Sequence, residues 1–143
     1  MTRPAFIVNE DIPSADFVFD AFGDSPEELF VNCARASFYA MTDPEKVDAS
    51  EQLEFEVRGE TIEDLLFNFI SELVYLKDSE TMFFSEFNIE FAEDGKSLKA
   101  IVGGERIDYN KHTIKTDVKA ATYHDLRIVE EKGRYKARMI LDL

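Results

Sequence analysis

Carboxylates are the most abundant side chains in this sequence that could do chemistry. The 143 residues contain 30 Asp and Glu but only two His and one Cys. Asp16 comes where a strand is predicted to begin, and Asp142 precedes the last residue, Leu143, whose own carboxylate would lie close by. Like charges at such a distance repel, so the pair would favour a cation or a basic partner. Oxygen ligands suit Ca²⁺, Mg²⁺ or Mn²⁺ rather than zinc or copper. A frayed polar chain end is the alternative interpretation.

A second polar segment, residues 115–124, has the alternation of a strand. One parity carries Lys115, Asp117, Lys119 and Tyr123, and the other ends at His124. A strand face with these side chains is either a solvated sheet face or a strip that recognises a partner. The residues alone leave both interpretations open.

Other kinds of chemistry have little support in the sequence. Cys33 lies on the apolar stripe of a predicted helix, which favours a buried structural thiol over a nucleophile. Two His and one Cys make Cys/His ligation of zinc unlikely by composition. His112 is predicted to be a solvated loop residue, whereas His124 ends a strand and is a candidate functional residue. No Gly-rich phosphate loop is present, and Gly103-Gly104 is interpreted as a strand break.

Composition narrows the class of protein. The chain is 45% hydrophobic and 13% aromatic, which argues against intrinsic disorder. It has no apolar run long enough for a transmembrane helix and no signal-peptide pattern, and its lone cysteine suits a reducing cytosol. The length fits one domain over residues 1–143, so we expect a cytoplasmic single-domain protein.

The net charge of −14 argues against direct binding to nucleic acid or to an anionic membrane. It is compatible with metal cations and with basic protein surfaces. Residues 1–94 carry 23 acidic and 5 basic side chains, whereas residues 95–143 carry 7 acidic and 11 basic ones. Either both parts mix in one fold, or an acidic face stands apart from a basic C-terminal sheet edge.

Hydrophobic periodicity predicts the elements that position these residues. Ser25 caps a first helix over 26–41, with Pro26 at its first position and Glu28 completing a capping box. Thr61 caps a second helix that should end near Leu76. Alternation predicts strands over residues 5–8, 16–22, 53–57, 87–91, 98–102, 118–122, 126–128 and 135–141. Two helices packed with mainly antiparallel β-sheet layers make an α+β fold.

Six segments in this order resemble the archease family, and together they span nearly the whole chain. None of them is diagnostic alone. They are Ser14-Ala15-Asp16, Ser25-Pro26-Glu27-Glu28-Leu29-Phe30, Ser71-Glu72-Leu73-Val74-Tyr75-Leu76, Phe84-Ser85-Glu86-Phe87, Thr116-Asp117-Val118-Lys119-Ala120-Ala121-Thr122-Tyr123-His124 and Ile140-Leu141-Asp142-Leu143.

The resemblance implies a small acidic protein that is not itself an enzyme. Archeases act as protein cofactors of the RNA ligase that joins 3′-phosphate or 2′,3′-cyclic-phosphate ends to 5′-hydroxyl ends in tRNA splicing. They promote guanylylation of that ligase and allow multiple turnovers. The resemblance also implies an alternative partner, a tRNA cytosine-5 methyltransferase, for which an archease acts as a chaperone-like modulator.

The resemblance further implies a divalent-metal site, with Ca²⁺ preferred and Mg²⁺ or Mn²⁺ as alternatives. By motif match its ligands are Asp16, Asp142 and a main-chain or terminal oxygen of Leu143. Many archeases have Asp-His-Thr-Ala-Asp before the second strand, whereas this chain has Asp-Ile-Pro-Ser-Ala-Asp over residues 11–16. The family histidine is therefore missing, and Asp11 is an alternative ligand.

The same match makes Lys119 the partner-binding lysine, with Asp117 and His124 as its neighbours on the strip. A different class of function is a stand-alone metal-dependent hydrolase. It would need a general base beside the metal, and His124 or Glu86 is the candidate.

Overall fold

A computed structural model describes residues 4–9 and 16–143, and its architecture is the predicted α+β fold. The strands are β1 (Phe6–Asn9), β2 (Phe17–Gly23), β3 (Glu51–Arg58), β4 (Met82–Phe91), β5 (Ser97–Arg106), β6 (Ala120–Ala121), β7 (Arg127–Glu131) and β8 (Arg134–Asp142). The α-helices are α1 (Pro26–Met41) and α2 (Ile62–Glu80), and a 3₁₀ turn covers Pro44–Lys46.

The strands form two antiparallel sheets. In the five-stranded sheet β1, β2 and β8 lie side by side, and both β6 and β7 pair with the other edge of β8. The three-stranded sheet has the order β3-β5-β4. Strands from the acidic and the basic parts of the sequence lie in both sheets, and the C-terminal strands β6, β7 and β8 lie together on one side of the five-stranded sheet.

The two helices lie between the sheets, because each helix contacts strands of both. A helix enclosed in this way must be apolar over a wide arc, and α1 buries Leu29, Phe30, Cys33, Ala34 and Phe38 among others. The predicted caps are confirmed: the Ser25 and Thr61 hydroxyls accept the main-chain N–H of the residue three positions later. Within the described residues, neither helix is long and apolar enough to cross a membrane.

The expected strand break at Gly103-Gly104 is wrong, because β5 continues through both glycines to Arg106. Gly104 is required for close approach of the chain. A β-bulge in β4 lies between Phe84 and Glu86, opposite Gly103 and Gly104. A Cβ atom on Gly104 would lie 1.9 Å from the Phe83 carbonyl oxygen, so only glycine fits beside the bulge.

Two element boundaries also differ from the predictions. The second helix continues four residues beyond Leu76 to Glu80, and Thr81 ends it in the left-handed conformation. The strand predicted over 118–122 is reduced to Ala120–Ala121. This segment is held by other contacts: the Lys115 and Thr116 N–H groups donate to the carbonyls of the last turn of α1.

His112 is buried, contrary to the prediction of a solvated loop residue. Its Nδ1 accepts the Asp108 main-chain N–H at 2.9 Å, and its Nε2 lies 3.3 Å from a Glu105 carboxylate oxygen. The ring packs edge-on against Phe83. The histidine therefore closes the loop that follows β5 rather than facing solvent.

Candidate cation and partner site

Antiparallel pairing of β2 with β8 brings the two predicted ligand residues to one edge of the five-stranded sheet. Phe17 is paired with Leu141. Asp16 immediately precedes Phe17 and Asp142 immediately follows Leu141, so the two aspartates lie next to each other just beyond the last β2–β8 pair. Both are exposed. Residues from opposite ends of the sequence thus meet through sheet register.

The Asp142 side chain belongs to the outer face of the sheet. Side chains alternate along a strand, and Ala137, Met139 and Leu141 point into the core. Arg138 and Asp142 have the opposite parity. Arg138 confirms this orientation, because it makes a two-point ion pair across the sheet with Asp20, at 2.8 and 3.1 Å.

The strip at residues 115–124 lies along the other side of β8. The Lys119 N–H donates to the Asp142 carbonyl at 2.8 Å, and Ala120 is the register partner of Asp142. Thr122 continues the contact, since both its N–H and its hydroxyl donate to the Ile140 carbonyl. Asp142 is therefore flanked by the start of β2 on one side and by Lys119 on the other.

Asp117 is engaged by a residue that the sequence analysis missed. Lys77 of α2 is buried, and its Nζ lies 2.8 Å from Asp117 Oδ1 and 2.8 Å from Asp78 Oδ1. Burial pulls the pKa of Lys77 down, but hydrogen bonds to the two aspartates outweigh it and the pKa is raised on balance. The available signal was a lysine on the apolar stripe of α2, at helical spacing from Ile70, Leu73 and Val74.

The end of the strip is bound to the start of α2. The Tyr123 hydroxyl donates to the Asp64 carboxylate, and its ring packs on Phe67. This hydrogen bond raises the pKa of Tyr123 and lowers that of Asp64. His124 points to solvent, with its side chain 76% exposed and its Nε2 3.3 Å from Asp125.

The two candidate bases for a hydrolase lie on other elements than Asp142. Glu86 lies on β4 in the three-stranded sheet, whereas Asp142 ends β8 in the five-stranded sheet. The contacts of His124 are with Asp125. Asp11 and the neighbouring departure from the family motif lie outside the described residues.

The donor chemistry at this edge fits a hard cation. Asp16 and Asp142 offer carboxylate oxygens, and Leu143 offers a main-chain oxygen, all of which suit Ca²⁺, Mg²⁺ or Mn²⁺. Over residues 4–9 and 16–143, no three His, Cys, Asp or Glu side chains are grouped as a metal cage. The protein oxygens would therefore supply part of a coordination shell, with the other positions left to water or to another molecule.

Comparison with known proteins follows this geometry. Residues 10–143 match the Archease protein family (MTH1598/TM1083). The chain is 41% identical over 133 residues to the protein archease of Pyrococcus abyssi, covering 91% of this chain and 94% of the relative. It is 39% identical over 132 residues to the protein archease of Methanothermobacter thermautotrophicus, with the same coverage.

Two solved structures share the fold. The solution structure of Methanobacterium thermoautotrophicum protein 1598 matches with a TM-score of 0.80 and 36% identity, covering 97% of this chain and 99% of that one. The crystal structure of a Thermotoga maritima archease, described as a possible chaperone, matches with a TM-score of 0.66 and 22% identity. That match covers 100% of this chain and 98% of the other, and it bears on the fold alone.

Proposed function

The chain belongs to the archease family, and from that premise we propose that it is a protein cofactor of the 3′-phosphate RNA ligase of tRNA splicing. In this role it promotes guanylylation of the ligase and supports repeated turnover, without carrying out a reaction of its own. The proposed setting is the cytoplasm. Asp16, Asp142 and an oxygen of Leu143 hold a divalent cation, with Ca²⁺ preferred, and Lys119 contacts the ligase beside it.

The observation that supports this proposal most is the pairing at the end of β8. Phe17 pairs with Leu141, and the Lys119 N–H donates to the Asp142 carbonyl. Two aspartates and the main chain of the motif-matched lysine therefore come from three separate stretches of the sequence to one sheet edge. This convergence is specific, whereas most of the 30 acidic residues are scattered over the surface.

The donor set is suited to a cation shared with a partner. Two carboxylates and a main-chain oxygen are fewer than the six to eight oxygens that Ca²⁺ prefers, so open positions remain for groups of the ligase or its nucleotide. A bound divalent cation supplies positive charge that attracts phosphate oxygens and neutralises their negative charge. The residues of this chain hold it at an exposed edge, where another protein can reach it.

The net charge supports recognition of the enzyme rather than of the RNA. A protein with a charge of −14 is repelled by phosphodiester chains but attracted to the basic surface of an RNA-handling enzyme. Such attraction raises the rate of encounter and is screened by salt. Binding to the ligase should therefore weaken as salt concentration rises.

The direct test uses the purified ligase with GTP and a 3′-phosphate RNA. Covalent guanylylation and the number of turnovers are measured with the wild-type chain and with Asp142→Asn. Loss of one carboxylate from so small a donor set should lower both Ca²⁺ affinity and stimulation by at least about tenfold. Circular dichroism checks that the variant is folded, since Asp142 is exposed at the end of its strand.

The matched control is Glu93→Gln, which removes one negative charge from the turn between β4 and β5. It should stimulate the ligase like the wild type. Full stimulation by folded Asp142→Asn would overturn the proposal. If the wild type itself fails to stimulate the ligase but prevents aggregation of a tRNA cytosine-5 methyltransferase, the partner assignment is wrong.

A further inference from the structure

Lys77 is a buried lysine that the proposed site does not yet explain. It lies in the last turn of α2, where the apolar stripe of the helix continues from Leu73 and Val74. Its side chain is 5% exposed. Burying an ammonium group is costly unless it is paired and fully hydrogen-bonded, so the position calls for a specific reason.

The ammonium group has three oxygen atoms around it at hydrogen-bonding distance. Lys77 Nζ lies 2.8 Å from Asp78 Oδ1, 2.8 Å from Asp117 Oδ1 and 3.0 Å from the Val118 carbonyl oxygen. Two of these acceptors belong to one short stretch of the strip, far from α2 in sequence. The lysine therefore joins the end of a helix to a segment that has almost no strand structure of its own.

That segment leads directly to the sheet edge that carries Asp16, Asp142 and Leu143, which we call the cation edge. Asp117 and Val118 are followed by Lys119, whose N–H donates to the Asp142 carbonyl at 2.8 Å. Before them, the chain is anchored to the end of α1 through Lys115 and Thr116. Between these two anchors, the hydrogen bonds from Lys77 and the buried Val118 side chain are what fix the path of the chain.

We propose that Lys77 is a positioning residue that holds residues 117–119 so that Lys119 is fixed against Asp142. Lys77 does not touch the cation edge itself. It acts through the Asp117 carboxylate and the Val118 carbonyl, and the path of the main chain carries the constraint two residues further. The consequence for ligase activation rests on the proposed function, whereas the consequence for the conformation of the strip does not.

The two aspartates around Lys77 provide a matched pair of variants. Both carboxylates lie 2.8 Å from the same nitrogen and both are largely exposed, but Asp78 belongs to α2 itself and only Asp117 belongs to the strip. Asp117→Asn should loosen the strip, whereas Asp78→Asn should leave it in place. Each variant removes one negative charge, so the net charge of the chain changes equally.

Amide hydrogen exchange of the complete chain gives the readout. A hydrogen bond to a charged group accounts for a factor of about 10 to 150 in a local opening equilibrium, so the Lys119 amide should exchange at least about tenfold faster in Asp117→Asn and in Lys77→Met. In Asp78→Asn its rate should change less than about threefold. Amides in the middle of α1, such as that of Ala36, report global unfolding and should keep their rates in both aspartate variants.

Amide exchange tests the positioning role of Lys77, and the ligase assay tests the proposed function separately. An unchanged Lys119 exchange rate in Asp117→Asn, or an equal rise in Asp78→Asn, would refute the positioning role. If Lys77→Met does not fold, the aspartate pair alone decides. If Lys119 exchange rises as expected but ligase stimulation stays at the wild-type level, the positioning role holds and the part assigned to Lys119 in activation is wrong.

Discussion

Gly104→Ala should be among the most destabilising single-methyl changes in this protein. Gly104 lies within β5, opposite the β-bulge of β4. The added Cβ would be 1.9 Å from the Phe83 carbonyl oxygen and 2.9 Å from Phe84 Cα. Both neighbours are main-chain atoms of buried residues, so neither can rotate away. Carbon and oxygen atoms normally stay about 3 Å or more apart. Relief of the clash therefore requires β4 and β5 to move apart by more than about 1 Å at this point.

The magnitude follows from that geometry. Overpacking a core typically costs about 1–3 kcal/mol, and a clash with rigid main chain belongs at the upper end or above. Alanine recovers up to about 1 kcal/mol relative to glycine through the unfolded state. A net loss of about 3 kcal/mol in the free energy of unfolding is therefore expected. For a domain of this size that corresponds to a fall in Tm of about 10 °C.

Urea unfolding followed by far-UV circular dichroism measures the change. The comparison is Gly103→Ala, one residue earlier, whose Cβ would meet the Ala49 Cβ at 3.0 Å and the Glu86 Cβ at 3.5 Å. Both contacts are much longer than those at Gly104 and need only a small shift, so the cost should be about 1 kcal/mol, at the low end for overpacking. A Gly104→Ala variant that matches Gly103→Ala, or that stays within about 1 kcal/mol of the wild type, would refute the close-approach argument.

Two other predictions concern ionisable groups. Cys33 is fully buried, and burial raises the pKa of its thiol, so it should react with a thiol reagent only at the rate of unfolding; rapid labelling of the native chain would contradict this. Hydrogen bonds from Lys111 and then from the Asp48 N–H lower the pKa of Glu105 to about 2. Glu105 therefore stabilises the fold above its unfolded pKa of about 4.5, and this contribution is lost as pH falls toward 2. The urea midpoints of the wild type and Glu105→Gln should converge over that window, and a constant difference would show that the carboxylate charge is irrelevant.

The sequence predicted the elements well where the local pattern determines the structure. Ser25 and Thr61 mark helix starts because a capping hydroxyl satisfies N–H groups that the helix leaves free. The alternation of side chains along the sequence predicted β2 and β8, and Phe19, Ala21, Met139 and Leu141 lie in the core as that alternation requires. The failures lie where a distant contact decides. Gly103-Gly104 was predicted as a break because nothing local reveals the bulge that requires glycine at position 104.

The candidate site was only partly predictable, for a similar reason. Asp16 and Asp142 stood out by their positions in the sequence, and the family resemblance made them ligands and Lys119 a partner-binding residue. The β2–β8 register that brings the two aspartates together is a long-range property. Lys77 was missed because the second helix was predicted to end near Leu76, which left this lysine outside the apolar stripe. His112 was misjudged because its acceptor role depends on the loop folding back to Asp108.

The acidic residues of this chain can act on a partner in two ways, by long-range attraction and by local contacts. The net negative charge attracts a basic enzyme at long range and can raise the rate of encounter. Net charge alone does not fix the orientation in which the two proteins bind. Orientation has to come from groups with fixed positions. In the proposed function those groups are at the end of β8, where the Asp142 carbonyl accepts the Lys119 N–H and the start of β2 lies alongside. A single charge-reducing substitution elsewhere on the surface, such as Glu93→Gln, should therefore leave stimulation of the ligase near the wild-type level, whereas Asp142→Asn at this edge should lower it by at least about tenfold.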